Sequence, residues 1–174
     1  VWVTLTPAQE RAYEAAAGED TPMARANRRD MACGFADGRS AKAEAAVQHL
    51  LANPDITKAV VYAEHHEHLT IMGRLLERAG MGWRRVDGHR TDRQRAEALA
   101  AFRDDPSVRV LLGTKALERG LDGLQHCAVL LSLGASFNPA REQQRIGRLR
   151  RPGSPHEAVR HITFFAHAMT ERAK

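Results

Sequence analysis

Ala59-Val60-Val61-Tyr62-Ala63-Glu64-His65-His66-Glu67-His68-Leu69-Thr70-Ile71-Met72-Gly73-Arg74-Leu75-Leu76 changes its hydrophobic period halfway along. Residues 59–63 form a short, β-branched-rich run of the kind buried on both faces of a sheet. From His66 to Ala79, Leu69, Met72, Leu75 and Leu76 fall on one face at helical spacing. A buried strand followed by an amphipathic helix is half of a parallel β-α-β unit, and the pattern continues downstream. Trp83 to Val86 reads as a short strand, and Thr91 to Phe102 as a helix with Ala98, Leu99 and Phe102 inward. Val108-Arg109-Val110-Leu111-Leu112 and Ala128-Val129-Leu130-Leu131 read as two more strands, and Val159 to Phe165 as a last one. Asn138-Pro139 opens a helix that must end near Pro152, because a residue before proline avoids the helical region. Strands alternating with helices at this spacing predict an α/β fold, a parallel sheet with helices on both faces. Ligands in such folds sit at the carboxyl ends of the strands.

Upstream of Lys58 the first forty residues read as helices without strands. Thr6-Pro7-Ala8-Gln9 supplies a cap, a proline at the first helical position and a glutamine at the third. That helix fades at Gly18. A second covers Pro22 to Cys33, Gly34 and Gly38 bracket a turn, and Ser40 caps a third that runs through Leu51 to a stop at Asn53-Pro54. Residues 1–39 are therefore expected to form a short helical lead-in or linker, and residues 40–174 the α/β lobe. The sequence holds no internal repeat and no low-complexity segment.

The 174 residues suit one domain with an appendage, large enough for a real core. Of the 26 basic residues only Lys42, Lys58, Lys115 and Lys174 are lysines, so arginine dominates a formal charge of +5. A sequence pI near 9.8 favours an anionic partner, with nucleic acid the first candidate. Two cysteines, Cys33 and Cys127, make no disulfide framework and suit a reducing compartment. No apolar run approaches a membrane span and no signal-peptide pattern opens the chain. The expected location is cytoplasmic, nucleoid-associated or wherever the nucleic acid is, and not secreted. The chain begins at Val1 and not Met, which favours a piece of something longer.

The loop after the Val108–Leu112 strand, Gly113-Thr114-Lys115-Ala116-Leu117-Glu118-Arg119-Gly120-Leu121-Asp122, gathers a hydroxyl, an amine, a glycine and a carboxylate at a strand end. Such groups suit phosphate and ribose, although a polar loop with a glycine turn reads equally well. Gln143-Gln144-Arg145-Ile146-Gly147-Arg148-Leu149-Arg150-Arg151 is the sharper signal. At 100° per residue, Gln144, Arg148 and Arg151 fall within about 60° of one another, with Arg141 on the same side and Arg145 and Arg150 elsewhere. Like charges on one helix face need an anion or carboxylates to meet them, and arginine's planar fork suits phosphate oxygens. A solvated basic face is the plainer reading, but Gly147 inside the run costs helix stability and argues against mere filler.

These residues resemble the motifs of superfamily-two helicases. Thr114 with Arg119, Gly120 and Asp122 at +5, +6 and +8 looks like motif V, and Gln144-Arg145-Ile146-Gly147-Arg148 with Arg151 looks like motif VI, Q-R-x-G-R-x-x-R. Val60-Val61-Tyr62 stands where motif IV would be. Asp87-Gly88, with Arg95 seven residues past the glycine and Phe102 seven further, resembles the segment between motifs IV and V. The match covers about residues 58–165, the second RecA-like lobe of the motor. Val3-Thr4-Leu5-Thr6-Pro7-Ala8-Gln9 with Tyr13, then Ser40-Ala41-Lys42, resembles the lead-in of Swi/Snf-type DNA translocases. Motif V is closer to DEAD-type and DEAH-type helicases than to the glycine-rich Swi/Snf form, and motif VI is closer to XPB-type repair helicases.

The resemblance implies an ATP-dependent helicase or DNA translocase. Arg148 and Arg151 would be arginine fingers reaching the γ-phosphate, Gln144 would contact nucleotide or couple it to DNA, and Gly120 and Asp122 would sit near ribose and phosphates. Gly88, His89, Arg90, Thr114 and Lys115 would line the nucleic-acid track, taken as DNA. Arg151, next to Pro152, is expected to leave the helix. ATP and Mg²⁺ would be held mainly by a first RecA-like lobe, absent here. No G-x-x-x-x-G-K-[ST] loop is present, and Tyr62-Ala63-Glu64-His65-His66 has alanine where a metal-binding aspartate would stand. The isolated chain is therefore not expected to hydrolyse ATP.

Other signals carry less. His65, His66 and His68 with Glu64 and Glu67 tempt a metal reading, but adjacent histidines point apart on a helix and no cysteine is near, so no metal site is assigned. Cys127 opens an apolar strand and reads as core. Aromatic residues are only 5% and do not interleave with basic ones, so no single-strand stacking platform is indicated. The rival function is a stand-alone nucleic-acid-binding or partner-docking module without ATPase activity. A lobe used for protein contacts within a remodelling complex is a third.

Overall fold

The computed structural model describes residues 1–15, 37–118, 123–134 and 138–167. Five strands form one parallel sheet in the order β3-β4-β2-β5-β6: β2 (Ala59–Tyr62), β3 (Gly82–Val86), β4 (Val108–Gly113), β5 (Val129–Ser132) and β6 (Arg160–Thr163). The helices are α2 (Ala41–Ala52), α3 (His66–Arg78), α4 (Asp92–Asp104) and α5 (Pro139–Leu149), with a 3-10 turn at Lys115–Glu118. The fold class read from the sequence holds.

Strand pleating divides the core in two. Ala59, Val61 and Ala63 face one way and pack with Ala46 and Leu50 of α2 and Leu69, Met72 and Leu76 of α3. Val60 and Tyr62 face the other way, toward Ala98 and Phe102 of α4 and Leu149 of α5. All four residues of β2 are buried, as are all four of β5, which explains why both run apolar without alternation.

Local chemistry sets the helix ends. Ser40 caps α2, its Oγ accepting from Ala43 N at 3.2 Å. Thr91 and Gln94 close a reciprocal capping box at α4, and the Asn138 side chain accepts from Ala140 N at 3.0 Å at α5. The opening helix α1 spans Pro7–Ala15. Its Gln9 is fully buried and donates to Asp37 Oδ1 at 3.2 Å and Arg39 O at 3.0 Å, which docks the helix on the turn before α2. The helix expected over Pro22 to Cys33 lies outside the described residues.

Two expectations are corrected. The first forty residues are not free of strands: β1 (Trp2–Thr4) pairs in parallel with β7 (Phe165–His167), Trp2 opposite Phe165. Val3 is buried while Trp2 and Thr4 are exposed, a period too short to stand out beside the helix that follows. The last apolar stretch is not one strand. It breaks at the fully buried Phe164, so β6 stays in the main sheet and β7 joins β1.

The strand order sets the place for a ligand. From β2 the chain runs out to the β3 edge and back through β4, then crosses to β5 and β6 on the other side of β2. In open parallel sheets a crevice forms where the order reverses, at the carboxyl ends. Here the order reverses between β2 and β5, beside the exit of β2, where Tyr62 leads into Ala63 and Glu64.

Candidate functional site

The loops leaving β2, β3 and β4 meet in one open cleft of about 500 Å³, lined by Glu64, His66, Gly88, Arg95, Thr114 and Lys115. Gly88, Thr114 and Lys115, three of the five residues assigned to a nucleic-acid track, therefore share one surface. Lys115 is exposed, whereas Thr114 is buried and its carbonyl accepts from Leu117 N at 2.9 Å, shaping the 3-10 turn that presents Lys115. His89 reaches the cleft margin through its ring, 4.5 Å from that of His66. Arg90 is displaced from the cleft and lines a neighbouring groove with Arg84, Gln94 and Glu97, between the β3 edge and α4.

A buried carboxylate holds the 88–90 loop. Asp87, at the end of β3, accepts from Arg85 Nε through Oδ2 and from His89 N at 3.0 Å through Oδ1. Burial pushes its carboxyl upward, but the Arg85 hydrogen bond and charge, the His89 N–H and nearby His66 outweigh it and hold the group below 3.8. Arg85 also donates to Thr70 Oγ1 at 3.0 Å and lies 3.0 Å from His66 Nδ1.

A second set of contacts spans the sheet ends. Tyr62 Oη donates to Glu64 Oε1 at 2.9 Å, and Glu64 Oε2 lies 3.3 Å from Lys115 Nζ. On the other side of the ring, the Arg145 guanidinium sits 3.6 Å from the Tyr62 centroid. The sequence reading placed Arg145 away from the phosphate-facing side of its helix; the structure buries it at 3% exposure. Neither Tyr62 nor Glu64 was singled out as functional. The available signal was a phenol ending an otherwise apolar strand, because a buried Tyr hydroxyl needs a partner.

Helix α5 carries the nucleotide-facing candidates. Gln144 is exposed and Arg148 half-buried, its stem lining a small apolar pocket with Leu117, Leu124 and Leu149. The helix ends at Leu149 with Arg150 as its cap, so Arg151 lies beyond it, as its place before Pro152 predicts, and the face shared by Gln144 and Arg148 does not extend to it. Gly120 and Asp122 lie outside the described residues. Arg148 and Gln144 offer guanidinium and amide donors, which fit phosphate oxygens and not a divalent cation. Cys127 is core, with its thiol pushed up to about 11 by burial.

The described residues thus form a parallel α/β lobe with basic side chains at its strand ends and arginines on the helix after β5. The chain belongs to the family described as helicase conserved C-terminal domain, whose profile matches residues 41–153. It is 28% identical over 109 residues to the helicase-like transcription factor of Oryctolagus cuniculus, covering 62% of this chain and 11% of that protein. It is 40% identical over 63 residues to the DNA repair protein rad5 of Aspergillus fumigatus, covering 36% of this chain and 5% of the relative. The chain thus spans about a tenth or less of the curated relatives' length. Among solved structures, the Sulfolobus solfataricus SWI2/SNF2 ATPase core in complex with dsDNA shares the fold at a TM-score of 0.74 and 16% identity, over 95% of this chain and 40% of that one. Among the described residues, no helix is long and apolar enough to cross a membrane.

Proposed function

We propose that this chain is the second RecA-like lobe of an ATP-dependent helicase or DNA translocase, with residues 1–39 leading in from a first lobe. The supporting observation is the convergence of the loops after β2, β3 and β4 on one cleft that holds Gly88, Thr114 and Lys115. In this reading the cleft, with His89 at its margin and Arg90 in the neighbouring groove, tracks the backbone of nucleic acid. Lysine and backbone contacts of this kind position a strand without reading its sequence. The duplex DNA in the SWI2/SNF2 structure and the repair role in the name of the rad5 relative favour DNA as the partner and the DNA compartment as the location.

Arg148 and Arg151 act as arginine fingers on ATP, Gln144 contacts the same nucleotide, and Gly120 and Asp122 lie beside its ribose and phosphates. Bound ATP supplies the phosphoryl group whose transfer to water drives the motor, and Mg²⁺ and most of the nucleotide contacts belong to the first lobe. Its place on α5, half-buried beside Leu117, Leu124 and Leu149, supports this role for Arg148. Arg151, past the helix end, reaches its position only when the lobes close. The test is Arg148→Ala in the longer protein that carries this lobe. ATP turnover should fall on the order of a thousandfold or more, and unchanged turnover refutes the assignment. Nucleic-acid-stimulated ATP hydrolysis by the 174-residue chain alone would overturn the two-lobe reading.

A further inference from the structure

Glu64 is an acidic residue at the centre of a cleft otherwise suited to phosphate. Its two oxygens have different partners: Oε1 accepts from Tyr62 Oη at 2.9 Å, and Oε2 faces Lys115 Nζ at 3.3 Å. The carboxylate does not wander. Tyr62 is buried to 2% exposure and fixed beneath Arg145, so its hydroxyl is a rigid anchor for Glu64. Lys115, by contrast, is 58% exposed along its side chain and free to swing on its four-carbon stem. A carboxylate on a fixed post gives the exposed Lys115 amine the kind of anionic oxygen contact that a phosphate also offers.

We propose that Glu64 is a displaceable internal counter-ion of Lys115, a built-in phosphate mimic that nucleic acid must displace to engage the cleft. The proposal rests on the nucleic-acid reading of that cleft. Such a device weakens binding to bare backbone and ties engagement of Lys115 to a residue hydrogen-bonded to Tyr62, the ring on which Arg145 of α5 sits. Among the cationic groups lining the cleft, Arg95 is differently placed: its Nη2 lies 3.2 Å from Asp92, a residue almost fully exposed, and its Nε donates to Arg90 O. Lys115 is therefore the group whose charge Glu64 controls.

The experiment compares this chain with its Glu64→Gln, Lys115→Met and double variants in binding a fluorescent 30-base-pair duplex DNA across a salt series. Gln keeps the size of the side chain and an acceptor for the Tyr62 hydroxyl, so the fold is retained. Removing the carboxylate should tighten binding roughly two- to fivefold at about 0.1 M salt, the range of one surface ion pair. The gain should shrink as salt screens the Glu64–Lys115 pair, so the slope of log K against log salt should steepen by less than the roughly 0.9 of one whole phosphate contact. Both effects should vanish in the Lys115→Met background. A Glu64→Gln slope equal to that of the unmodified chain, or an effect that persists without Lys115, overturns the proposal while leaving the nucleic-acid cleft in place. Absence of salt-dependent binding by the unmodified chain overturns the cleft reading and the proposal with it.

Discussion

The Arg145 guanidinium sits over the Tyr62 ring, 3.6 Å from its centroid, and so joins the helix after β5 to the carboxyl end of the central strand. The contact is buried on both sides, Arg145 at 3% and Tyr62 at 2% exposure. A planar, weakly hydrated cation stacks on an aromatic face where a compact ammonium would stay solvated. Arg145→Lys is therefore not conservative here. It should cost about 2 kcal/mol, read as a lower denaturant midpoint with an unchanged slope. An unmoved midpoint contradicts the contact's role.

Asp87 makes stability depend on acid. Its folded carboxyl is held below the ordinary 3.8, so the stability it contributes is complete above that value and is lost as pH falls through the lower folded one. Urea titrations of the unmodified chain should show this loss below about pH 4, and Asp87→Asn should flatten that limb. Asp87→Ala, which leaves the largely buried Arg85 without its partner, should cost about 3–5 kcal/mol at neutral pH.

Gly113 ends β4 directly beneath Leu117. A Cβ there would stand 2.3 Å from Leu117 Cγ and 2.4 Å from Cδ1, and Leu117 is itself buried to 2% exposure. Gly113→Ala should destabilise by about 1–3 kcal/mol. Because Leu117 belongs to the turn that carries Lys115, the variant should also weaken binding to duplex DNA under conditions where it remains folded. Intact binding at reduced stability would separate the turn from the cleft.

Cys127 is 1% exposed, and burial raises its thiol to about 11 despite hydrogen bonding nearby. The nucleophilic thiolate is scarce at pH 8 and the sulfur is out of reach. In a Cys33→Ser background, a thiol reagent at pH 8 should label this chain only as fast as it unfolds. Prompt stoichiometric labelling of the native protein would contradict the burial.

Much of the architecture was readable because it rests on local rules. The unbroken Ala59–Ala63 run, the Leu69–Met72–Leu76 stripe and the caps at Ser40, Thr91 and Asn138 each follow from period or a hydrogen-bonding side chain, and each element forms where those rules place it. Gly88, Thr114 and Lys115 were legible as track residues only through the resemblance to helicase motifs; they share a cleft because parallel strands bring their ends to one edge. The misses have equally physical causes. Three-residue β1 is too short for periodicity to show, and its partner lies more than 160 residues away. Arg151 stands past the end of its helix, as the proline after it predicts, so only the wheel drawn through Gln144 and Arg148 fails to reach it.

By itself, the sequence determined the parallel α/β class, most element boundaries and the residue types gathered at strand ends, since each depends on neighbours within a few turns. Only the tertiary structure decided that Arg145 turns inward onto Tyr62, that Glu64 bridges Tyr62 and Lys115, and that Asp87 holds the 88–90 loop. The first contact joins residues about 80 positions apart, the second reaches from Glu64 to Lys115 about 50 positions on, and the third draws its strength from burial. Their strength comes from low local dielectric and fixed geometry, which exist only once the sheet has assembled and excluded water.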